Sequence, residues 1–214
     1  IAHIVANLDA LSKGRAVLGI GAGEAMNTMP YGIDYENPYD RVARLREAIE
    51  IIKLLWSSSS DIPANYQGKF YQLQGAYLDL LPLQKPHPPI FVGAIASDLM
   101  FRIIGELSDG WMGWLNTPKT FKERAEKIRK YAENVGRKIE DIQLATMLPV
   151  ILSNDRRIVE KGIKNFKTSL LTERLTLKSI GYKPPHFPLY QNLVVSKKNE
   201  EEMRRFANEI PDDV

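Results

Sequence analysis

Glu24 and Asn27 are the residues of this sequence best suited to chemistry: a carboxylate that can transfer a proton and, three positions on, a carboxamide that offers one donor and one acceptor. They follow Gly19-Ile20-Gly21-Ala22-Gly23, where missing side chains let a planar or bulky group approach the backbone. The run invites comparison with a dinucleotide fingerprint. The G-x-G-x-x-G frame, however, needs Gly or Ala at Glu24 or Met26, and about 14 residues separate Gly23 from the helix start at Pro38. A nucleotide fold of that type is disfavoured. Glu24 and Asn27 also have a plainer reading, in which they satisfy loop amides, and spacing alone does not choose between the two.

A second candidate is Gly93-Ala94-Ile95-Ala96, a small-residue turn running into Ser97, where free amides at a helix start suit a phosphate. Its plainer reading is a tight turn whose small residues serve packing. Trp111 and Trp114 read as core rather than as a ligand platform. Of the three histidines, His87 lies in a Pro-rich connection and His186 in an irregular tail, so no metal site is expected.

These residues need strands and helices to hold them. Ile1, Ile4, Val5, Leu8 and Leu11 recur at helical spacing, and Ser12-Lys13-Gly14-Arg15 ends that helix before a buried strand within 16–21. Asn37-Pro38 starts a helix whose apolar stripe is Val42, Leu45, Ile49, Ile52 and Trp56. The segment 57–84 reads as an insertion with a small β-excursion turning near Gly68. Further strands are expected at 90–93, 111–114 and 142–150, with helices beginning at Ser97-Asp98 and at Thr117-Pro118, the latter stopped by Gly136. From 154 to 214 the pattern weakens, with helices near 157–166, 170–180 and 199–208 and a Pro-rich stretch at 183–188. Strands alternating with amphipathic helices give an α/β fold with a parallel sheet, either doubly wound or a barrel. Ligand sites in both lie at the carboxyl ends of strands, where Glu24 and the Gly93 turn fall.

The 29 Lys and Arg nearly balance 26 Asp and Glu and are scattered, which argues against nucleic acid as a partner. With no cysteine, disulfides and thiolate catalysis are excluded, a composition that fits a cytoplasmic protein. No apolar run approaches the ~20 residues of a membrane span. The first residue is Ile, within a helix, so the sequence reads as the central part of something longer.

Taken together, Gly14-Arg15-Ala16-Val17-Leu18-Gly19-Ile20-Gly21, Gly23-Glu24-Ala25-Met26-Asn27, the helix 44–52 and Gln84-Lys85-Pro86-His87-Pro88-Pro89-Ile90 resemble the bacterial luciferase-like superfamily. The Gly-Glu-Ala-x-Asn form is similar to its branch that uses the deazaflavin coenzyme F420, which includes methylenetetrahydromethanopterin reductase. The resemblance implies a single (β/α)8 barrel domain, only partly present here. It further implies an oxidoreductase that moves a hydride between F420 and a small organic substrate, with methylenetetrahydromethanopterin as one candidate. It implies that Gly21, Gly23, Glu24 and Asn27 bind the coenzyme, with Glu24 toward the ring and Asn27 helping to hold it, and that the turn Gly93, Ala94, Ile95 and Ala96 receives its phosphate; a partly desolvated Glu24 is then expected to be catalytic and to supply or stabilise the substrate proton. A homodimer is expected, with the 49–56 helix face available for it. The rivals are an FMN-dependent monooxygenase and a shortened form that binds a flavin or a partner without turnover.

Overall fold

The computed structural model describes residues 1–171, 177–178, 181–182 and 197–210. The expected Pro-rich stretch 183–188, His186 and most of the expected helix 170–180 lie outside the described residues.

The described chain divides into two compact units. The first comprises Ile1–Gly23, Glu36–Gly113 and Arg124–Ala145. Its frame is a four-stranded sheet of β1 (Leu18–Ile20), β4 (Ile90–Gly93), β5 (Gly110–Trp114) and β6 (Gln143–Met147), in the order β1-β4-β5-β6. β1 pairs parallel with β4, and β4 with β5. The connections pass through α3 (Pro38–Trp56), α4 (Asp98–Leu107) and α5 (Pro118–Glu133). Each strand takes its place beside the previous one in this sheet, with no reversal of order. A doubly wound sheet reverses at its switch point, whereas a βα barrel winds in one direction, so this is the barrel's way of growing.

The helix starts are those expected from sequence. Asn37 Oδ1 accepts from Asp40 N at 3.0 Å with Pro38 in the first turn, and Ser97 Oγ accepts from Met100 N at 3.4 Å. Helix α5 stops ahead of Gly136, which takes φ +74°. The segment 64–76 forms a separate antiparallel hairpin, β2 (Ala64–Gln67) and β3 (Gln72–Ala76), outside the main sheet. Glu47 of α3 fastens its turn: the carboxylate accepts from the amides of Lys69, Phe70 and Tyr71 at 2.8, 2.9 and 3.1 Å. Burial would raise the pKa of Glu47, but those three bonds outweigh it and hold the group below its ordinary value.

Two sequence expectations about helix faces are corrected. In α1 (Ala2–Leu11) the buried face is Ala2, Val5, Ala6 and Asp9, while Ile4, Leu8 and Leu11 are 64%, 52% and 81% exposed. The small Ala2 and Ala6 let α3 come close, and Trp56 Nε1 donates to Ala2 O at 3.0 Å. The α3 face carrying Ile49, Ile52 and Trp56 is accordingly buried under neighbouring helices and is not free for a dimer contact.

The amino ends of the strands are tied by polar groups that find partners. Asp9, fully buried, accepts from Gln84 N at 2.9 Å and Gln84 Nε2 at 2.7 Å, and Gln84 Nε2 also donates to Ala16 O. Burial opposes the charge on Asp9, yet these donors keep its pKa below the ordinary value. Asp109 Oδ2 accepts from Ile90 N at 2.9 Å, and His87 packs against Trp56 with ring centroids 5.7 Å apart. The Gln84–Ile90 motif thus works at the amino end of the sheet, away from the carboxyl ends where ligands bind.

The second unit comprises Glu24–Tyr35, Trp114–Glu123 and Thr146–Val214. Helices α6 (Arg156–Leu170) and α7 (Lys197–Ala207) build its core, with Leu170, Leu171, Leu177, Met203, Ala207 and Ile210 buried together. In the same unit the short helix α2 (Ala25–Thr28) follows Glu24 directly.

Candidate functional site

In the first unit, the register pairs Leu18 with Ile90, Gly19 with Phe91 and Ile20 with Val92. One step further brings Gly21 abreast of Gly93, at the carboxyl ends of two adjacent parallel strands. An ideal Cβ built on Gly19, Gly21 or Gly93 meets nothing within 4 Å. No neighbour among the described residues requires glycine at these positions, so sterics inside this unit do not explain them. By contrast, a Cβ on Gly105 would lie 2.7 Å from Ile128 O and 2.8 Å from Ala132 N, which is a packing glycine. Alternation along β4 explains why the open positions line up: Ile90 and Val92 are buried on the helix side, and Gly93 is exposed on the other.

Gly23 adopts φ +80°, the left-handed conformation that glycine takes without strain. Arg41, from the first turns of α3, holds this loop by donating through Nη1 to Gly23 O at 3.1 Å, while its Nε donates to Glu36 O at 3.0 Å. The sequence reading did not single out Arg41; a cation four residues into a capped helix after a long loop was the available signal.

The Gly93 turn is shaped by β5. Ala94 is buried, its amide donates to Met112 O at 3.3 Å, and its carbonyl accepts from Trp111 Nε1 at 3.0 Å. Ile95 is half-buried and Ala96 exposed, directly ahead of the Ser97 cap and the start of α4. An anion at this turn would meet the positive end of a ten-residue helix.

In the second unit, Glu24 precedes α2 in extended backbone, and its Oε2 accepts from Asn27 Nδ2 at 3.0 Å. The two residues singled out from sequence therefore do meet, and the plainer reading of both as caps for loop amides is not their side-chain geometry. Glu24 is exposed rather than partly desolvated, because the described residues place no apolar cover over its carboxylate. Trp111 is core, fully buried. Trp114 departs from the core reading: it is half-buried, and its Nε1 is buried without a hydrogen-bond partner among the described residues. Also among the described residues, no three His, Asp or Glu side chains group closely enough to hold a metal ion, and no helix is long and apolar enough to cross a membrane.

Comparison with known proteins places this geometry. The sequence profile described as luciferase-like monooxygenase matches residues 1–210. A phthiodiolone/phenolphthiodiolone dimycocerosates ketoreductase of Mycobacterium sp. (strain JLS) is 32% identical over 76% of this chain and 42% of its own length. An F420-dependent glucose-6-phosphate dehydrogenase of Amycolatopsis mediterranei (strain U-32) is 31% identical over 100% of this chain and 58% of its own. The chain thus spans about two fifths to three fifths of the curated relatives it matches. Among solved structures, an F420-dependent secondary alcohol dehydrogenase in complex with an F420-acetone adduct superposes with a TM-score of 0.73 at 20% identity, covering 99% of this chain and 58% of that one. The coenzyme F420 dependent tetrahydromethanopterin reductase of Methanopyrus kandleri gives 0.70 at 23% identity, covering 85% and 55%. These likenesses give the fold, an α/β barrel of the luciferase-like type. With a profile match across nearly all of its residues, and its glycine-lined strand ends in the barrel's ligand-binding position, the chain belongs to the luciferase-like monooxygenase family.

Proposed function

We propose that this chain carries the coenzyme floor and the proton-handling carboxylate of an F420-dependent oxidoreductase acting between a carbonyl and a secondary alcohol. The observation that carries the reading is the pair Gly21 and Gly93, abreast at adjacent strand ends with open space where side chains would stand. A side chain at either position would fill that space, so the residues present fit a flat coenzyme laid against bare backbone. When bound, F420 supplies the hydride chemistry itself.

The chain's own residues bind, orient and handle protons. Gly21 and Gly93 leave the backbone open to the ring system, and Arg41 fixes the loop through Gly23 O. The Ala94–Ala96 turn ahead of α4 offers amides and a helix N-terminus to a phosphate. Glu24, oriented by Asn27 Nδ2, holds the proton that accompanies the hydride. The curated relatives named above as a ketoreductase and a glucose-6-phosphate dehydrogenase both support carbonyl and hydroxyl carbons as the reacting centre. Reduction of methylenetetrahydromethanopterin is the alternative, in which hydride goes to a carbon bonded to nitrogen, and rests on fold likeness at 23% identity.

The family's description as monooxygenases favours a second reading, with FMN and oxygen in place of F420. One titration separates them: the full-length protein is mixed with F420 and with FMN, and retention is read by absorbance after desalting. F420 retained with turnover of a ketone supports the first reading; FMN retained and F420 ignored overturns it. The expected homodimer remains part of the proposal, and light scattering of the full-length protein tests it.

A further inference from the structure

We infer that the carboxyl ends of β5 and β6 form a substrate subsite for an uncharged carbonyl compound or secondary alcohol with an apolar body, and that Trp114 Nε1 donates a hydrogen bond to its oxygen. The inference rests on the hydride-transfer reading above and adds that the substrate is uncharged with an apolar body, and which side chain meets its oxygen.

The first observation is the unsatisfied donor. Trp114 is the last residue of β5, and its buried Nε1 has no partner among the described residues. An indole N–H is a donor only, and a buried one regularly finds an acceptor, as Trp111 does in Ala94 O at 3.0 Å. An acceptor delivered by a ligand would complete Trp114 in the same way.

The second is how firmly this strand end is set. Leu115 takes φ +50°, an uncommon conformation for a residue with a side chain, and such positions concentrate at functional sites. Its side chain packs against the core built by α6 and α7, and its amide donates to Met147 O at 3.1 Å. Next to it, Asn116 Nδ2 donates to Thr146 Oγ1 at 3.0 Å. The backbone after Trp114 is thereby fixed to the end of β6 by two bonds, with the partly buried Leu115 side chain packed on the α6–α7 core.

The third is what this unit presents around these ends. The chain leaving β6 exposes Leu148, Val150 and Leu152, the last two by 83% and 94%. Within 114–118 and 146–154, the segments that leave β5 and β6, there is no charged residue. A phosphorylated or carboxylated substrate needs a cation to pair with and finds none on these segments. An uncharged substrate with an alkyl or aryl body finds apolar surface and one donor for its oxygen, the usual composition of a small-molecule site.

The test uses the full-length protein labelled with 15N, in which the indole N–H of Trp114 is assigned by its loss in Trp114→Phe. Titration with 2-nonanone is compared with 8-oxononanoate, which differs by a terminal carboxylate. The expected result is a shift of the Trp114 indole signal with 2-nonanone, at least about tenfold weaker binding of the keto acid, and about tenfold weaker 2-nonanone binding by Trp114→Phe with coenzyme affinity unchanged. A Trp114 signal unmoved by the ketone, as when another part of the polypeptide already accepts its hydrogen bond, overturns the proposal; so does equal or tighter binding of the keto acid. Where Trp114→Phe does not fold, the wild-type preference between the two ligands decides. Ketone binding without F420 binding would sink the hydride reading and leave this subsite standing, whereas F420 binding without a ketone response would do the reverse.

Discussion

Replacing Gly93 by Val separates a glycine kept for packing from one kept for a ligand. Gly93 closes β4 opposite Met112, its φ lies outside the left-handed region, and no atom stands within 4 Å of where a Cβ would be. Valine is therefore free of clash and strain in the protein itself. Gly in a strand interior costs up to about 1 kcal/mol in backbone entropy, and valine suits a pleated position, so unfolding free energy is expected to stay level or rise by up to ~1 kcal/mol. The bound state is different. A ring in contact with bare backbone sits at about 3.5–4 Å between carbons, and the added isopropyl group would occupy that layer. Overpacking of this kind costs about 1–3 kcal/mol, which corresponds to a coenzyme Kd raised by roughly 5- to 150-fold. Urea denaturation and an F420 fluorescence titration on the same preparation read the two effects. A stable variant with Kd within about twofold of wild type would refute the assignment of this strand end to the coenzyme. A loss of more than about 1 kcal/mol in stability would instead make Gly93 a packing residue.

Four further outcomes follow from named contacts. Glu24→Gln, exposed and bonded to Asn27, is expected to keep coenzyme affinity while turnover falls by about 10²-fold or more, measured by steady-state and binding titrations side by side. Glu47→Gln weakens the three amide bonds that fasten the β2–β3 turn by about 1–3 kcal/mol in sum, and limited proteolysis within 68–71 should accelerate while the main sheet stays protected from hydrogen exchange. Asp9 is held below its ordinary pKa in the folded chain, against burial, by donors from Gln84 and Ala16; its contribution is therefore present above the unfolded carboxylate value and lost as pH falls below it. Asp9→Asn should flatten the acid side of the stability–pH curve, and an unchanged acid slope would contradict the assignment. Gly105→Ala, with its Cβ 2.6–2.8 Å from α5, should lower stability by about 1–3 kcal/mol in a thermal melt, whereas the same change at Gly19, with open space, should not.

The elements of this fold were legible because their signals are local. The Asn37-Pro38 and Ser97 caps and the Gly136 stop each act within one turn, and the structure places them where residue types put them. Faces were less legible. In α1 the large residues Ile4 and Leu8 draw the eye, but the buried side is set by Ala2 and Ala6, whose small size lets α3 approach; hydrophobicity alone does not report which side a neighbour chooses. The site was readable as a pair, Glu24 with Asn27, since three residues on a short helix bring two side chains together. The parts assigned here to Arg41 and Trp114 were not readable from the sequence. The grip of Arg41 on Gly23 O joins residues 18 apart, and the status of the Trp114 N–H depends on what surrounds it in space.

The distribution of satisfied polar groups along the strands ties these observations together. At the amino ends, every polar side chain discussed has its partner: Asp9 with Gln84, Asp109 with Ile90 N, Arg137 with the carbonyls of Gly105 and Ser108 at 2.8 and 2.7 Å, and Lys53 with Leu107 O at 2.6 Å. Burial holds the pKa of Lys53 below its ordinary value, with the charge of Asp109 opposing that shift in part. In the first unit the carboxyl ends have open glycines at 21 and 93; in the second, Glu24 is exposed and the buried Trp114 Nε1 has no acceptor among the described residues. A fold selected for stability alone would have no reason to treat its two ends so differently, because an unmet buried donor costs about 1–3 kcal/mol and a strand glycine nearly as much. The cost falls at the end of a βα barrel where ligands bind, and on groups that a flat coenzyme and a carbonyl oxygen would satisfy. Trp114→Phe should therefore raise the stability of the ligand-free protein or leave it level while it weakens ketone binding, and a variant that loses stability without loss of ketone affinity would show the indole N–H to be structural.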